Sequence, residues 1–141
     1  MTARRFALLL MSAVGIVIAA YLTVLHYDTG VPLYCLGSQA HGLINCENVL
    51  TSPESVVLGI PVPLWGLFWF LVTGALVLMS RQSERIRSYL MAWSIAGAIV
   101  VIYLVFVEFD VLHHICIWCS TLHVLILAIL GVQVYEAGVR S

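Results

Sequence analysis

The stretch that decides the fold is ICIWCSTLHVLILAILGVQVY, residues 115–135, in which no position carries Asp, Glu, Lys or Arg. A bilayer core about 30 Å thick is crossed by about 20 apolar residues in a helix, so the stretch predicts a membrane-spanning helix. It opens on a C-x-x-C pair, Cys116 and Cys119, and His123 follows one helical turn after Cys119. The sequence therefore predicts a membrane helix with reactive side chains at its start.

Three further apolar stretches lie upstream, at about 6–25, 62–79 and 89–107, and none of them carries an acidic or basic side chain. A backbone in lipid must satisfy its own hydrogen bonds, so these stretches are predicted to be helices. The alternating segments of a membrane β-barrel are absent from the sequence. We therefore predict an all-α membrane protein, a single redox domain over residues 1–141 built as a four-transmembrane-helix bundle.

Composition excludes several classes of protein. The 141 residues are 62% hydrophobic and 9% charged, whereas a soluble domain carries about 25% charged residues. A net charge of −1 also argues against nucleic acid as a partner. The first apolar stretch follows Arg4 and Arg5 like a signal peptide, but its length and the lack of a clear A-x-A site favour a retained helix.

The arginines predict the orientation. With four crossings, every arginine falls on one side of the membrane: Arg4, Arg5, Arg81, Arg85, Arg87 and Arg140. The opposite loops, 26–61 and 108–114, contain acids but no arginine. By the positive-inside rule, both termini are predicted to be cytoplasmic and these two loops extracytoplasmic.

All four cysteines fall on the predicted outer side. Cys35 and Cys46 lie in the loop 26–61, whereas Cys116 and Cys119 open the last helix. Disulfides persist in this oxidising compartment, and cysteines three residues apart on a helix share a face. One pair in a loop and one pair on a helix suggest a relay by thiol–disulfide exchange.

Other roles for the cysteines stay open at this point. They could form two inert disulfides in a non-enzymatic tetraspan protein, or Cys116 and Cys119 could bind zinc together with His113 and His114. Covalent haem is disfavoured because Ser120 stands where C-x-x-C-H needs histidine. A disulfide that closes so short a loop adds little stability, which favours chemistry at Cys116 and Cys119.

The segment after Cys46, ENVLTSPESVVLGIP, predicts a short half-helix in the first extracytoplasmic loop. Ser52 is a suitable N-cap and Pro53 a suitable first helical residue. Gly59 and Pro61 are expected to end the half-helix, which is too short to span the membrane. It would be either an amphipathic linker or a lid over a pocket in the membrane.

Together these features resemble the vitamin K epoxide reductase family, specifically its bacterial members without a fused thioredoxin-like domain. The resemblance is carried by the loop cysteines, the string Cys46-Glu47-Asn48-Val49-Leu50-Thr51-Ser52, the Gly59-Ile60-Pro61 entry to helix 2, and Cys116-Ile117-Trp118-Cys119. It covers nearly the whole chain. It implies a four-helix bundle that encloses a quinone near the outer face of the membrane.

The resemblance also implies roles for the cysteines. Cys116–Cys119 would be the active-site disulfide, and Cys35 and Cys46 the shuttle pair. In bacteria such an enzyme lies in the cytoplasmic membrane, oxidises a thioredoxin-like or DsbA-like partner, and passes electrons to a quinone without a metal. The quinone would be menaquinone, ubiquinone or vitamin K. Because the chain stops at Ser141, the partner is expected to be a separate protein.

Two positions depart from the mammalian pattern of the family. Mammalian-type enzymes carry Asn at the start of helix 2 and Tyr four residues after the second cysteine, both as quinone contacts. This chain has Val62 and His123 there, so the amide contact is in doubt and quinone is favoured over epoxide. His123 shares a face with Cys119 and is predicted to contact a quinone oxygen, with a packed helix histidine as the alternative.

Three more residues are candidates for quinone binding. Ser52 matches a family position near the active cysteines, although an N-cap serine needs no such role. Trp65 and Phe68 lie in the outer half of helix 2, where they either line the pocket or belong to an interfacial aromatic belt.

A second class of quinone-coupled disulfide oxidase, resembling disulfide bond protein B, also has four helices. It carries its C-x-x-C in the first outer loop and its other cysteine pair in the second. The order is reversed in this chain, in which Cys116 and Cys119 follow the loop pair. This order favours the vitamin K epoxide reductase type.

Overall fold

The computed structural model describes residues 3–27, 56–113 and 117–140. Four helices in these residues are long and apolar enough to cross a membrane. They are α1 (Ala3–Tyr27), α2 (Val62–Met79), α3 (Glu84–Phe106) and α4 (Ile117–Arg140). The predicted all-α membrane protein with four transmembrane helices is confirmed.

The four helices run up and down around a common core. α1 packs against α2 and α4, and α3 packs against the same two neighbours. Buried apolar side chains from all four helices form the core: Leu8, Ala19, Leu22, Phe70, Val77, Leu90, Leu122 and Ile129. Large apolar side chains such as Leu10, Ile102 and Val124 remain exposed on the outside, where lipid covers them in a membrane.

Arginines join the helices at the end of the bundle where α1 begins and α2 ends, here called the arginine end. Arg5 donates from its guanidinium to the carbonyls of Val77 and Leu78, at 3.3 and 2.8 Å. These carbonyls lie in the last turn of α2, where a cation stabilises the negative end of the helix dipole. This contact holds the beginning of α1, which is already helical before the apolar stretch, against the end of α2.

α3 also starts earlier than the apolar pattern predicts, at Glu84 instead of about residue 89. Ser83 has extended backbone and accepts a hydrogen bond from the Arg85 amide at 3.1 Å, which is an N-cap. Glu84 and Arg87 form an ion pair within this first turn. A charged first turn therefore extends the helix beyond its lipid-facing part.

α3 does not end at residue 107. It continues as a π-helical segment, Val107–Leu112, which stops where His113 adopts φ +57° and its amide donates to the Glu108 carbonyl. The prediction of an outer loop over 108–114 is therefore wrong for 108–112. The acids Glu108 and Asp110 had suggested that the helix ends before them. The apolar residues between and after these acids instead continue the helix to Leu112.

The prediction of a half-helix is wrong for its described part. Val56–Val57 (β1) and Ile60–Pro61 (β2) form a two-stranded antiparallel hairpin. Its turn residues, Leu58 and Gly59, both have positive φ, 55° and 78°, as in a type I′ hairpin turn, and a helix cannot accommodate this. The β-branched residues Val56, Val57 and Ile60 favour strands. Residues 52–55 of that prediction lie outside the described part.

Candidate functional site

A cavity of about 440 Å³ lies at the end of the bundle opposite the arginine end, here called the cavity end. The start of α2, the second half of α3 and the start of α4 form its walls, and Leu22 of α1 and Val57 of the hairpin complete them. The lining is almost entirely apolar. A cavity of this size and character is suited to a flat, lipid-soluble molecule, since small-molecule pockets measure roughly 300–1,000 Å³ and are mostly apolar.

Five of the predicted site residues line this one cavity. They come from two helices that are separated by about 40 positions in the chain: Val62, Trp65 and Phe68 from α2, and Cys119 and His123 from α4. The remaining predicted site residues, Cys35, Cys46, Ser52 and Cys116, lie outside the described residues. The structure thus brings together every predicted site residue that it describes.

Cys119 lies in the first turn of α4, partly buried against the core. The preceding residue, Trp118, packs edge-on against Tyr21 of α1, with ring centroids 5.7 Å apart. This aromatic contact fixes the start of α4 against α1. His123 lies one turn further along the same helix face, so the thiol and the imidazole both border the cavity.

His123 has an acidic neighbour that sequence analysis missed. Its Nδ1 lies 3.8 Å from Oε1 of Glu108, which belongs to the π-helical segment after α3. Both residues are buried, with 8% of His123 and 5% of Glu108 exposed. The sequence had predicted Glu108 in the outer loop 108–114, after the end of the third apolar stretch. The apolar residues that follow Glu108 were the one sign in the sequence that the helix continues past it.

The hairpin lies against the mouth of the cavity through Trp65. The indole Nε1 of Trp65 donates to the Val57 carbonyl at 3.1 Å, and Val57 itself lines the cavity. Val62, where mammalian-type enzymes carry Asn, has no side-chain donor to offer. Among the described lining residues, His123 does offer a polar side chain, and its neighbours are mostly apolar.

Trp69 of α2 and Trp93 of α3 both line the cavity. The sequence did not predict Trp93 as a site residue. Their rings stack at 6.3 Å, and each indole donates to the other residue's backbone carbonyl at 3.3 Å. Trp93 Nε1 also lies 3.1 Å from Thr73 Oγ1. These reciprocal contacts hold α2 and α3 together beside the cavity.

Other residues of α2 and α3 line the cavity and also face the outside of the bundle. Phe68, Val100 and Tyr103 all line the cavity, yet more than half of each residue is exposed. Such apolar side chains face lipid when the bundle lies in a membrane. The cavity is therefore open to the bilayer between these side chains of α2 and α3.

The described residues contain no group of three His, Cys, Asp or Glu side chains that could hold a metal ion. The zinc site considered from the sequence would use Cys116 and His114, which lie outside those residues.

Comparison with known proteins agrees with the resemblance. The family model described as the vitamin K epoxide reductase family matches residues 6–134, which is nearly the whole chain. No curated protein matches the chain significantly. Members of this family couple thiol–disulfide exchange to a quinone within a membrane. With its four membrane-spanning helices and this match, the chain belongs to the vitamin K epoxide reductase family.

Proposed function

We propose that this protein oxidises a separate thioredoxin-like or DsbA-like partner and reduces a membrane quinone in the cavity beside Cys119. The observation that carries the proposal is the shared cavity. Cys119 and His123 border an apolar space of about 440 Å³ that opens toward lipid between α2 and α3. A quinone dissolved in the bilayer can reach such a site without crossing water.

The described side chains suggest how a quinone binds. Its ring lies among aromatic side chains such as Trp65 and Phe68, which supply flat apolar contact area. Its isoprenoid tail leaves through the gap between α2 and α3. His123 contacts a quinone oxygen, and Val62 contributes apolar contact only. Since that amide is absent, we propose a quinone instead of the epoxide as the acceptor.

Electrons pass through two disulfides in turn. A thiolate of the reduced partner attacks the Cys35–Cys46 disulfide, and its second thiol completes the exchange, which leaves the partner oxidised and the loop pair reduced. Cys46 then attacks Cys116 of the Cys116–Cys119 disulfide and releases Cys119 as a thiolate. Cys35 resolves the mixed disulfide, so Cys116 and Cys119 end as the reduced pair.

The reduced pair then reacts with the quinone. Cys116 and Cys119 form their disulfide again and transfer two electrons to the quinone, which becomes quinol. The two protons that the thiols lose equal the two that the quinol gains. The net reaction therefore converts partner dithiol and quinone into partner disulfide and quinol.

The arginines support the proposed orientation. Arg5, Arg81 and Arg87 border a cleft at the arginine end, and Cys119 borders the cavity at the opposite end. By the positive-inside rule, the arginine end faces the cytoplasm. We propose that the protein lies in a bacterial cytoplasmic membrane with its cysteines on the outer side.

The test is steady-state turnover by the purified protein with a reduced DsbA-like partner and menaquinone, ubiquinone or vitamin K epoxide as acceptor. We expect quinol formation with at least one quinone, at a rate that depends on both the partner and the protein. A protein with two structural disulfides would give none with any partner or acceptor, and that result would remove the proposal.

A further inference from the structure

Glu108 is a carboxyl group buried inside a membrane-spanning segment. The apolar span that contains it runs over Glu84–Val111, and 5% of the residue is exposed. An acidic side chain in such a place is costly unless it is paired, and it usually serves a function. Its neighbour in this structure is His123, with Oε1 and Nδ1 3.8 Å apart.

The backbone at Glu108 is as unusual as its burial. Val107–Leu112 is a π-helical segment, and such segments are rare and often occur at functional sites. Val107 and Glu108 are buried, whereas Asp110, two residues later in the same segment, is exposed. The segment thus places one of two nearby acids inside the bundle and the other at its surface, since residues two positions apart on a helix do not share a face.

We propose that Glu108 is a positioning residue that orients His123 toward the bound quinone and supplies its proton. The inference rests on the proposed quinone reduction and goes beyond it, because it assigns the source of the proton. His123 is the residue that touches the quinone, and Glu108 acts through it.

The two ring nitrogens of His123 have different neighbours. A pair buried among apolar side chains is most stable without net charge. In a neutral pair, Glu108 keeps its carboxyl proton and His123 carries its single ring hydrogen on Nε2. The 3.8 Å between Oε1 and Nδ1 is longer than a hydrogen bond, and we propose that it shortens when the quinone binds. Since Nδ1 faces Glu108, Nε2 is the nitrogen left for a quinone oxygen, and it carries the hydrogen that such a contact needs.

Proton transfer then balances. As the quinone takes two electrons from the cysteine pair, Nε2 gives its proton to the quinone oxygen. The carboxyl proton of Glu108 then passes to Nδ1, which leaves Glu108 as a carboxylate. One of the two protons released by the thiols restores the pair, and the other completes the quinol. Glu108 and His123 thus relay a proton and are unchanged after each turnover.

The experiment compares Glu108→Gln and Glu108→Asp with Asp110→Asn as the matched control. Glutamine keeps the shape of glutamate but cannot release a proton, whereas Asp110→Asn removes the same charge from an exposed position two residues away. We expect Glu108→Gln to lower kcat for quinone reduction by roughly 100-fold, the size of a general acid contribution. KM should change little, and Asp110→Asn should match the wild type.

Three further readouts separate proton supply from a structural role. The solvent deuterium isotope effect on kcat should rise in Glu108→Gln, and Glu108→Asp should recover a large part of the rate. Oxidation of the partner by the oxidised protein in a single turnover should be unchanged in both variants. The variant Glu108→Gln/His123→Gln should be no slower than His123→Gln, because residues that act as one unit are not additive.

The inference is overturned if kcat of Glu108→Gln stays within about twofold of the wild type. It is equally overturned if partner oxidation and thermal stability fall in parallel with quinone reduction, since Glu108 would then only support the fold. Time-resolved infrared spectra of the wild-type protein give a test that does not need a folded variant, because the carboxyl band of Glu108 should be lost transiently while added quinone is reduced and should return when the pair is restored. Absence of any carboxyl change contradicts the relay. Failure of the wild type to reduce any quinone would instead remove the proposed function.

Discussion

At the scale of single residues, Gly97 is the position where the wall of the cavity has the least room. A Cβ atom at this position would lie 2.7 Å from the indole ring of Trp69. That ring cannot easily move away, because its Nε1 donates to the Trp93 carbonyl and its face stacks on Trp93. α3 and α2 can therefore approach this closely only with glycine at position 97.

We predict that Gly97→Ala destabilises the protein by about 1–3 kcal/mol, the usual cost of overpacking. The measurement is thermal unfolding of the purified protein in detergent. Gly131→Ala is the matched control, since a Cβ at that α4 position meets nothing within 4 Å. Equal melting temperatures for the two variants would contradict the packing described for Trp69.

Residue identity alone predicted part of the site. Cys119 and His123 could be placed on one helix face from their spacing, and both do line the cavity. Glu108 could not be assigned, because its relation to His123 depends on how α3 ends and on how α4 packs beside it. Trp93 was missed for a similar reason, since only the packing of α3 on α2 brings it next to Trp69.

At the scale of elements, hydropathy predicts which parts of the helices cross the membrane, whereas capping and charged side chains decide where the helices begin and end. The limits of α2, Val62–Met79, coincide with those of the apolar stretch. The start of α3 does not, because the N-cap Ser83 adds a charged turn that hydropathy leaves out. The hairpin differs most from its prediction. Its apolar residues suggested a half-helix, but Leu58 and Gly59 adopt positive φ, which turns the chain back on itself.

The hairpin carries a prediction of its own. Trp65→Phe keeps an aromatic ring at the cavity but removes the hydrogen bond from Nε1 to the Val57 carbonyl. We expect amide hydrogen exchange in the peptide containing residues 56–61 to become several-fold faster, since a net hydrogen bond stabilises by about 1 kcal/mol. KM for quinone should rise, because Val57 lines the cavity.

The matched control is Trp118→Phe, which changes a tryptophan at the same end of the bundle that packs on Tyr21 of α1. Exchange in residues 56–61 should then stay at the wild-type rate. If Trp65→Phe also leaves this exchange unchanged, the bond to Val57 does not hold the hairpin at the cavity.

At the scale of the whole molecule, the two ends of the bundle differ in chemistry. One end carries Arg5, Arg81 and Arg87 around a cleft, and the other holds an apolar cavity with a thiol and an imidazole. Because cytoplasmic loops are enriched in arginine, this difference predicts a direction across the membrane. Electrons from outside the cell would then enter and leave the protein at the cavity end.

We predict that both termini are cytoplasmic. A green fluorescent protein fused after residue 141 should fluoresce, and alkaline phosphatase fused there should be inactive. Phosphatase fused within the loop 26–61 should be active, since that loop is predicted to be outside. Replacing Arg81, Arg85 and Arg87 by Gln should weaken this bias, and an active phosphatase at the C-terminus of the unaltered chain would contradict the orientation.

The central claim is that a cysteine pair containing Cys119 reduces a quinone directly. Its most direct test is a single turnover without any partner, in which the protein is reduced, freed of reductant and mixed anaerobically with menaquinone or ubiquinone. We predict one quinol for every two thiols lost from the wild-type protein, and no quinol from Cys119→Ala. Thiols that stay reduced in the presence of every quinone, or a Cys119→Ala variant that still forms quinol, would contradict the claim.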